Sequence, residues 1–235
     1  MRSEVCIGAI VLILALPHCT MVTDGIEVDV AYQAPATPQA VQTDMGYRVK
    51  LDRALIALGR VELLKCDNFA RQLWGLFAPG RARAHEESTP TSIGAPMIID
   101  LMESSGGLLF AGTLRPPPGR YCGIRVVVAP ADADAIGSTP ERAEMLENSV
   151  VLEGVVEGSE TGDEIPLEAR ITELIPWDLR FDEPLVFDTP RSVSISVQID
   201  HMRWFDGIDF ALPGGAEVRQ RLPENIRSSL VAKRL

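Results

Sequence analysis

The sequence predicts an all-β protein, an antiparallel β-sandwich of about nine strands with one or two short helices. Short segments in which apolar and polar residues alternate recur along the chain, whereas segments with helical periodicity are few. Turn-forming residues separate these segments, and the 235 residues include 17 prolines and 19 glycines. Many short strands with turns between them are typical of a β-sandwich.

Three apolar runs lie close together in the middle of the chain, at 97–101, 108–114 and 121–129. Pro118 and Gly119 suit the two central positions of a type II turn, because proline fixes φ near −65° and glycine accepts a positive φ. In the run that follows, one face carries Cys122, Ile124, Val126 and Val128, and the other carries Tyr121, Arg125 and Val127. This pattern predicts a strand that is buried on one face and lies in the interior of its sheet.

The first half of the chain adds two further strand segments by the same alternation. Residues 26–32 form one strand, and residues 47–64 form either one long bent strand or two. The prolines between these segments indicate a loop. Residues 69–77 have helical spacing interrupted by glycine and proline, which indicates a short helix or an apolar flap before a polar loop at 80–96.

The second half begins with a predicted helix from residue 139 to about residue 147. Thr139, Pro140 and Glu141 suit its N-cap, its first position and its first turn. Residues 204–210 form an aromatic turn, residues 216–222 look helical, and the chain closes with a short strand or helix at 226–232. The predicted strands are 150–156, 166–174, 179–181, 185–187 and 193–199.

The N-terminus has the features of a targeting segment. Arg2 precedes an apolar run at 5–16, which is too short to span a bilayer but has the length of a signal-peptide core. A cysteine follows this run closely, so we expect residues 1–18 to be a signal peptide and Cys19 to be lipidated. The alternative is an ordinary secretory signal that is cleaved nearby.

This interpretation defines the expected organisation and location of the protein. Residues 19–25 would be a tether and residues 26–232 a single β-sandwich domain, held at a membrane outside the cytoplasm, in the periplasm or at the cell surface. The formal net charge of −11 and a pI near 4.8, without a basic stripe, argue against a nucleic-acid partner.

Two cysteines, Cys66 and Cys122, remain in the body of the predicted domain. In an oxidising compartment a remaining pair of cysteines usually forms a disulfide. Such a bond would close a long loop and stabilise the fold by restricting the unfolded chain. The alternative is two separate buried thiols.

The order of these segments resembles that of the MbnP-like extracytoplasmic proteins and, more distantly, of bacterial lipoprotein β-sandwiches of unknown function. The resemblance covers about residues 26–232. It is carried by YRVKLDRALIALGRVELL (47–64), IDL (99–101), GTLRPPPGRYCGIRVVVAPADADA (112–135), VLEG (151–154) and SVQIDHMRWFDGID (196–209). The resemblance implies a β-sandwich outside the cytoplasm and, for some members of the family, copper bound by histidines beside an oxidatively modified tryptophan.

The chain departs from that family where the tryptophan-rich stretch would fall. Residues 143–154 read AEMLENSVVLEG and contain neither tryptophan nor histidine, so the copper site of the family does not transfer residue by residue. The remaining candidate metal ligands are His85 and His201 for copper and Asp206 and Asp209 for calcium. A copper site would need both histidines and a third donor.

Each of these candidates also has an ordinary interpretation. His85 lies in an acidic polar loop that solvent would cover. His201 continues the alternation of residues 193–199, but histidine is intermediate in burial as a residue type, so we expect a surface histidine there. Asp206 and Asp209 flank a glycine, where aspartates commonly cap turns, and they lack the spacing of an EF-hand. The cofactor is therefore unknown, with copper and calcium as candidates.

The chain lacks the common enzyme motifs. It contains no G-x-S-x-G, no phosphate-binding glycine loop, no H-E-x-x-H and no C-x-x-C. The first hypothesis is therefore a non-enzymatic, membrane-tethered binding or accessory lipoprotein that handles a metal as MbnP-like proteins do. The alternative is a structural or adhesive module of the cell envelope whose sandwich edge or loops contact a protein or a glycan.

Overall fold

The computed structural model describes residues 25–38, 40–66, 88–158, 163–212 and 216–235, and within these ranges the fold is all-β, as predicted. One α-helix, α1 (Ala216–Ser228), and two 3₁₀ helices, Pro140–Leu146 and His201–Arg203, accompany the described strands. The strands are β1 (Ile26–Gln33), β2 (Val41–Gln42), β3 (Arg48–Lys65), β4 (Ser92–Ile93), β5 (Met97–Asp100), β6 (Leu108–Leu114), β7 (Gly119–Val128), β8 (Val150–Glu157), β9 (Glu164–Ile171), β10 (Ile175–Phe187), β11 (Arg191–Ile199) and β12 (Leu230–Arg234).

Two sheets form the sandwich. The smaller sheet has the strand order β12-β11-β1-β6, and the larger has the order β10-β7-β3-β8-β9, with β2, β4 and β5 also paired to β3. The pairing is antiparallel as predicted, except that β1 and β11 run parallel over their whole shared length. That exception arises because β11 returns to the first strand after the chain has passed through the larger sheet.

Strand β3 is the central element of the larger sheet. It is one continuous strand of 18 residues rather than two. The polar pair Asp52 and Arg53, which interrupts the alternation in the sequence, lies at a register shift against β8. A bulge absorbs one irregular residue without ending a strand, so the sheet continues through the break.

The core lies between the inner faces of the two sheets, where the apolar residues of each alternating strand meet. A second, smaller cluster packs on the other face of β3 and includes Leu55, Ala57 and Val151. The 3₁₀ helix Pro140–Leu146 closes this cluster with Met145. The predicted helix is therefore present, but it is 3₁₀ rather than α, and the Thr139 side chain makes no capping bond.

Other predicted boundaries are wrong for similar local reasons. Residues 175–187 form a single strand, because a register shift between Arg180 and Leu185 accommodates the intervening polar residues. Strand β7 is an interior strand between β3 and β10, as predicted, but the turn before it joins two different sheets. Gly119 has a φ of +154°, far from the value near +80° of the predicted type II turn.

The described residues contain no helix with the length and apolar character that crossing a bilayer requires. The predicted signal peptide, Cys19 and the predicted flap at 69–77 lie outside the described residues.

Candidate functional site

His201 is fully buried, so the expectation of a surface histidine, which rested on the intermediate burial of this residue type, is wrong. Strand β11 ends at Ile199, and His201 begins a 3₁₀ turn that carries its ring into the core. The Thr37 hydroxyl donates to the Leu101 carbonyl at 2.6 Å and lies 2.9 Å from Nε2 of His201. Since that hydroxyl has a single proton, Nε2 must carry the proton that links the two side chains.

This arrangement makes His201 a neutral histidine that ties three loops together. Burial lowers the pKa of His201, and the charge of Asp200 and the Ile199 carbonyl oppose this effect only in part. Nδ1 is buried and has no well-formed hydrogen bond among the described residues. The described surroundings therefore favour a structural imidazole over a metal ligand.

We expect this histidine to make the fold sensitive to mild acid. Its pKa is lower in the folded protein than the ordinary value of 6.5, so below that pH the unfolded chain binds more protons than the folded one. Stability is thus fully present above pH 6.5 and declines as the pH falls toward the folded pKa, by at most about 1.4 kcal/mol per pH unit. Urea titrations at several pH values measure this slope.

The matched control is His201→Gln, which keeps an N–H group able to reach Thr37 but does not titrate. Its unfolding free energy should be nearly independent of pH just below 6.5, where wild type loses stability. Equal slopes for the two proteins would contradict a buried neutral His201.

The turn that contains Asp206 and Asp209 is held by hydrogen bonds to protein groups. Oδ1 of Asp209 accepts bonds from the Tyr47 hydroxyl at 2.5 Å and from the Ala211 N–H at 3.0 Å. The bond from Tyr47 lowers the pKa of Asp209, and the same bond raises the pKa of Tyr47. Asp209 therefore acts as a turn cap at this position.

Asp206 lies on the same turn and is bound through its main chain. Its carbonyl accepts a bond from the Asn225 side chain at 2.7 Å. Gly207, in the left-handed region with φ of +67°, donates its N–H to the Asp44 carboxylate at 2.6 Å. These contacts join the turn to helix α1 and to the loop before β3.

Trp204 and His201 are neighbours in the packed core. Their rings meet edge to face with centroids 6.2 Å apart, and Trp204 is fully buried. Its Nε1–H donates to the Ser229 hydroxyl at 2.8 Å. The pair therefore anchors the turn to the segment between α1 and β12.

The described residues do not assemble the predicted metal ligands. No group of three or more histidine, cysteine, aspartate or glutamate side chains in the described ranges is arranged to hold a metal ion. His85 lies outside those ranges. The metal site consequently remains a prediction from the sequence.

Cys66 and Cys122 are joined by a disulfide, with their Cα atoms 4.9 Å apart. Cys66 follows the last residue of β3, and Cys122 lies in the neighbouring strand β7, where Lys65 pairs with Tyr121. The bond thus fastens two paired strands at one end of the larger sheet.

Three consecutive apolar side chains at the start of β6 are exposed, although the sequence suggested an ordinary apolar run. The exposed fractions are 52% for Leu108, 42% for Leu109 and 60% for Phe110. Strand β6 is the last strand of the smaller sheet, and among the described strands it pairs with β1 alone. We call these three residues, together with the side of the 108–111 backbone that pairs with no described strand, the β6 edge.

The other large exposed apolar residues in the described chain are separated from one another in sequence. Scattered exposed apolar residues are normal, whereas a contiguous apolar group on a free strand is not. The sequence did contain a signal for this surface, because Leu108, Leu109 and Phe110 lack the alternation of a half-buried strand.

The loop before β6 is fixed by hydrogen bonds to β1 and its following loop. Nε2 of Gln33 donates to the Gly106 carbonyl at 3.0 Å, and the Ser104 hydroxyl donates to the Ala34 carbonyl at 2.7 Å. The β6 edge is therefore presented by an anchored segment.

A groove of about 330 Å³ runs beside the β6 edge. Leu108 and Leu109 form one side, and Ile98 and Ile99 contribute apolar surface from β5. The charged groups of the groove are Asp100, Glu103 and Arg142. Arg142 contacts both carboxylates, at 3.1 Å and 2.8 Å, so two negative charges meet a single positive one.

No family model matches this sequence, and no curated protein matches it. A solved structure that is similar to this chain is MbnP from Methylosinus trichosporium, with 11% sequence identity. The alignment covers 88% of this chain and 98% of that chain, with a TM-score of 0.37. The relationship is distant and structural.

Proposed function

We propose that this chain is a non-enzymatic, membrane-tethered extracytoplasmic protein that binds another polypeptide through the β6 edge. The observation that carries the proposal is the exposure of Leu108, Leu109 and Phe110 on an edge strand that pairs with β1 on one side and with no described strand on the other. Contiguous apolar surface of this kind marks interaction sites, and edge strands are ready templates for another chain. This choice favours the envelope-module hypothesis over metal handling.

The position of the β6 edge agrees with a tether at Cys19. From Cys19 to the start of β1 at Ile26 an extended chain reaches at most about 25 Å. Strand β1 begins at Ile26 and ends at Gln33, and Leu108 of β6 pairs with Gln33. Eight residues of strand span about 26 Å, so the β6 edge lies at the end of β1 away from the tether.

We expect a partner polypeptide to crosslink at position 110 when the intact protein is in its own membrane environment. A photoreactive phenylalanine analogue would replace Phe110 in one variant. In the matched control it would replace Val186, which is 41% exposed on β10 of the other sheet. Light should produce an adduct of defined mass at position 110 only.

A second substitution tests whether the adduct depends on the apolar side chains of the β6 edge. Leu108→Glu in the chain that carries the photoreactive group should remove most of the adduct, because it places a charge beside the apolar contact. Comparable adducts at 110 and 186, an adduct that survives Leu108→Glu, or no adduct at 110 would each contradict the proposal.

A further inference from the structure

We infer that the β6 edge takes its partner as an added β-strand, and that the added strand carries apolar side chains at alternate positions with lysine or arginine between them. The inference rests on the proposed function and names the chemistry of the partner at the same surface. It follows from the backbone, the side chains and the charge of this edge.

One side of the β6-edge backbone has no strand partner in the part of the chain that the structure describes. Residues 108–111 pair with β1 and, within the described ranges, with no other strand. Farther along, the edge is closed, because the Arg115 N–H donates to the Pro90 carbonyl at 2.9 Å and β4 lies next to β6. The open part is about four residues long, which offers an added strand roughly 13 Å of pairing length.

The open part is also held in the strand conformation before any partner arrives. The bonds from Gln33 to Gly106 and from Ser104 to Ala34 fix the residues just before it. A preformed edge loses little conformational entropy on binding, so main-chain hydrogen bonds to a partner contribute more of their energy to affinity.

The side chains define two apolar contacts on opposite faces of the added strand. Leu108 and Phe110 pair with Gln33 and Ala31 of β1 on the outer face of the smaller sheet, whereas Leu109 pairs with the core residue Tyr32. Cross-strand apolar pairs are the contacts that stabilise neighbouring strands, so apolar residues of the partner opposite Leu108 and Phe110 would cover them.

Charge decides between a partner and a second copy of this chain. The groove beside the edge has two carboxylates against the single Arg142, and the Glu103 side chain is 74% exposed. The whole chain has a formal net charge of −11, so two copies repel each other. A strand with basic side chains between its apolar ones gains attraction from the same charges.

The test uses the intact protein and labelled ten-residue peptides in a fluorescence anisotropy titration. A peptide of alternating valine and lysine should bind saturably, and a peptide of alternating valine and glutamate should bind at least about tenfold more weakly. Phe110→Glu should weaken the binding of the valine–lysine peptide by about tenfold or more. The control Val186→Glu should leave the binding of this peptide unchanged.

Two N-methylated versions of the valine–lysine peptide test the main-chain contact. Methylation of the odd amides blocks one edge of a strand, and methylation of the even amides blocks the other. Strand addition predicts that one version loses binding while the other keeps it, because only one edge faces β6. Equal behaviour of the two versions overturns strand addition.

Other results would also overturn the inference. These are the absence of saturable binding by the valine–lysine peptide, equal binding of the two charge types, and protection from hydrogen exchange, in the free protein, of those amides of residues 108–111 that point away from β1. A dimer in sedimentation that Phe110→Glu dissolves would assign the edge to a second copy. If one of these results is obtained but the crosslink at position 110 still forms, the inference of an added basic strand is wrong. The proposed function, binding of a polypeptide at the β6 edge, is then not contradicted.

Discussion

Removal of the Cys66–Cys122 disulfide should lower the free energy of unfolding by about 4 kcal/mol. The two cysteines are 56 residues apart, and a crosslink of that span greatly restricts the unfolded chain. The double variant Cys66→Ser and Cys122→Ser removes the bond with little change in the packing of the sheets. Urea titrations followed by tryptophan fluorescence would measure the loss.

Reduction supplies the control for this experiment. Wild type treated with a reductant in denaturant should fall to the stability of the double variant, and the variant should not respond to the reductant. Peptide mapping without reductant should recover the peptides of Cys66 and Cys122 joined. Two freely alkylated cysteines in the native protein would contradict the disulfide.

Trp204→Ala should destabilise the protein by about 3–5 kcal/mol, the usual cost of truncating a fully buried large aromatic residue. Trp204 is buried against His201, and its Nε1–H bonds to Ser229, so the substitution leaves a cavity and removes a hydrogen bond. Because the turn, α1 and β12 meet at this residue, the near-ultraviolet circular dichroism of the native state should also change.

Trp204→Phe separates the two contributions. It keeps most of the aromatic volume and removes the donor, while the Ser229 hydroxyl still donates to the Ile226 carbonyl at 2.7 Å. The loss should therefore be about 1–2 kcal/mol. A decrease in the free energy of unfolding of less than about 1 kcal/mol for Trp204→Ala would show that Trp204 is not packed against its neighbours as described.

The sequence was sufficient to predict the fold class because alternation records which face of a strand is buried. It predicted β1, β7, β8 and β11 close to their observed bounds. It divided β10 into short pieces because the polar stretch before Leu185 has the composition of a turn, whereas in the sheet it lies at a register shift against β7. Pattern alone does not distinguish a register shift from a turn, since both are interruptions of alternation.

The candidate site was harder to predict because burial at the ends of strands depends on tertiary contacts. His201 continues the alternation of the buried residues of β11, yet a polar residue type beyond the end of a strand is buried only where a partner such as Thr37 is in reach. Leu108 and Phe110 look like core residues by composition, yet the position of β6 at the end of its sheet leaves them exposed. Strand order within a sheet is a property that local sequence does not contain.

The parallel pairing of β1 with β11 also determines the order in which the molecule can be assembled. Gln33 and Gln198, which face each other across this pair, are 165 residues apart, and Asp29 and Thr113 across β1 and β6 are 84 apart. Pairings of such long separation form slowly, because the loops they close must lose entropy first. A chain that emerges with its N-terminus first can pair β1 with β6 once residue 114 is delivered, but the side of β1 that pairs with β11 stays open until most of the sequence has followed. The smaller sheet is the last part of the fold to close, and its β1 strand needs protection from other chains during that interval.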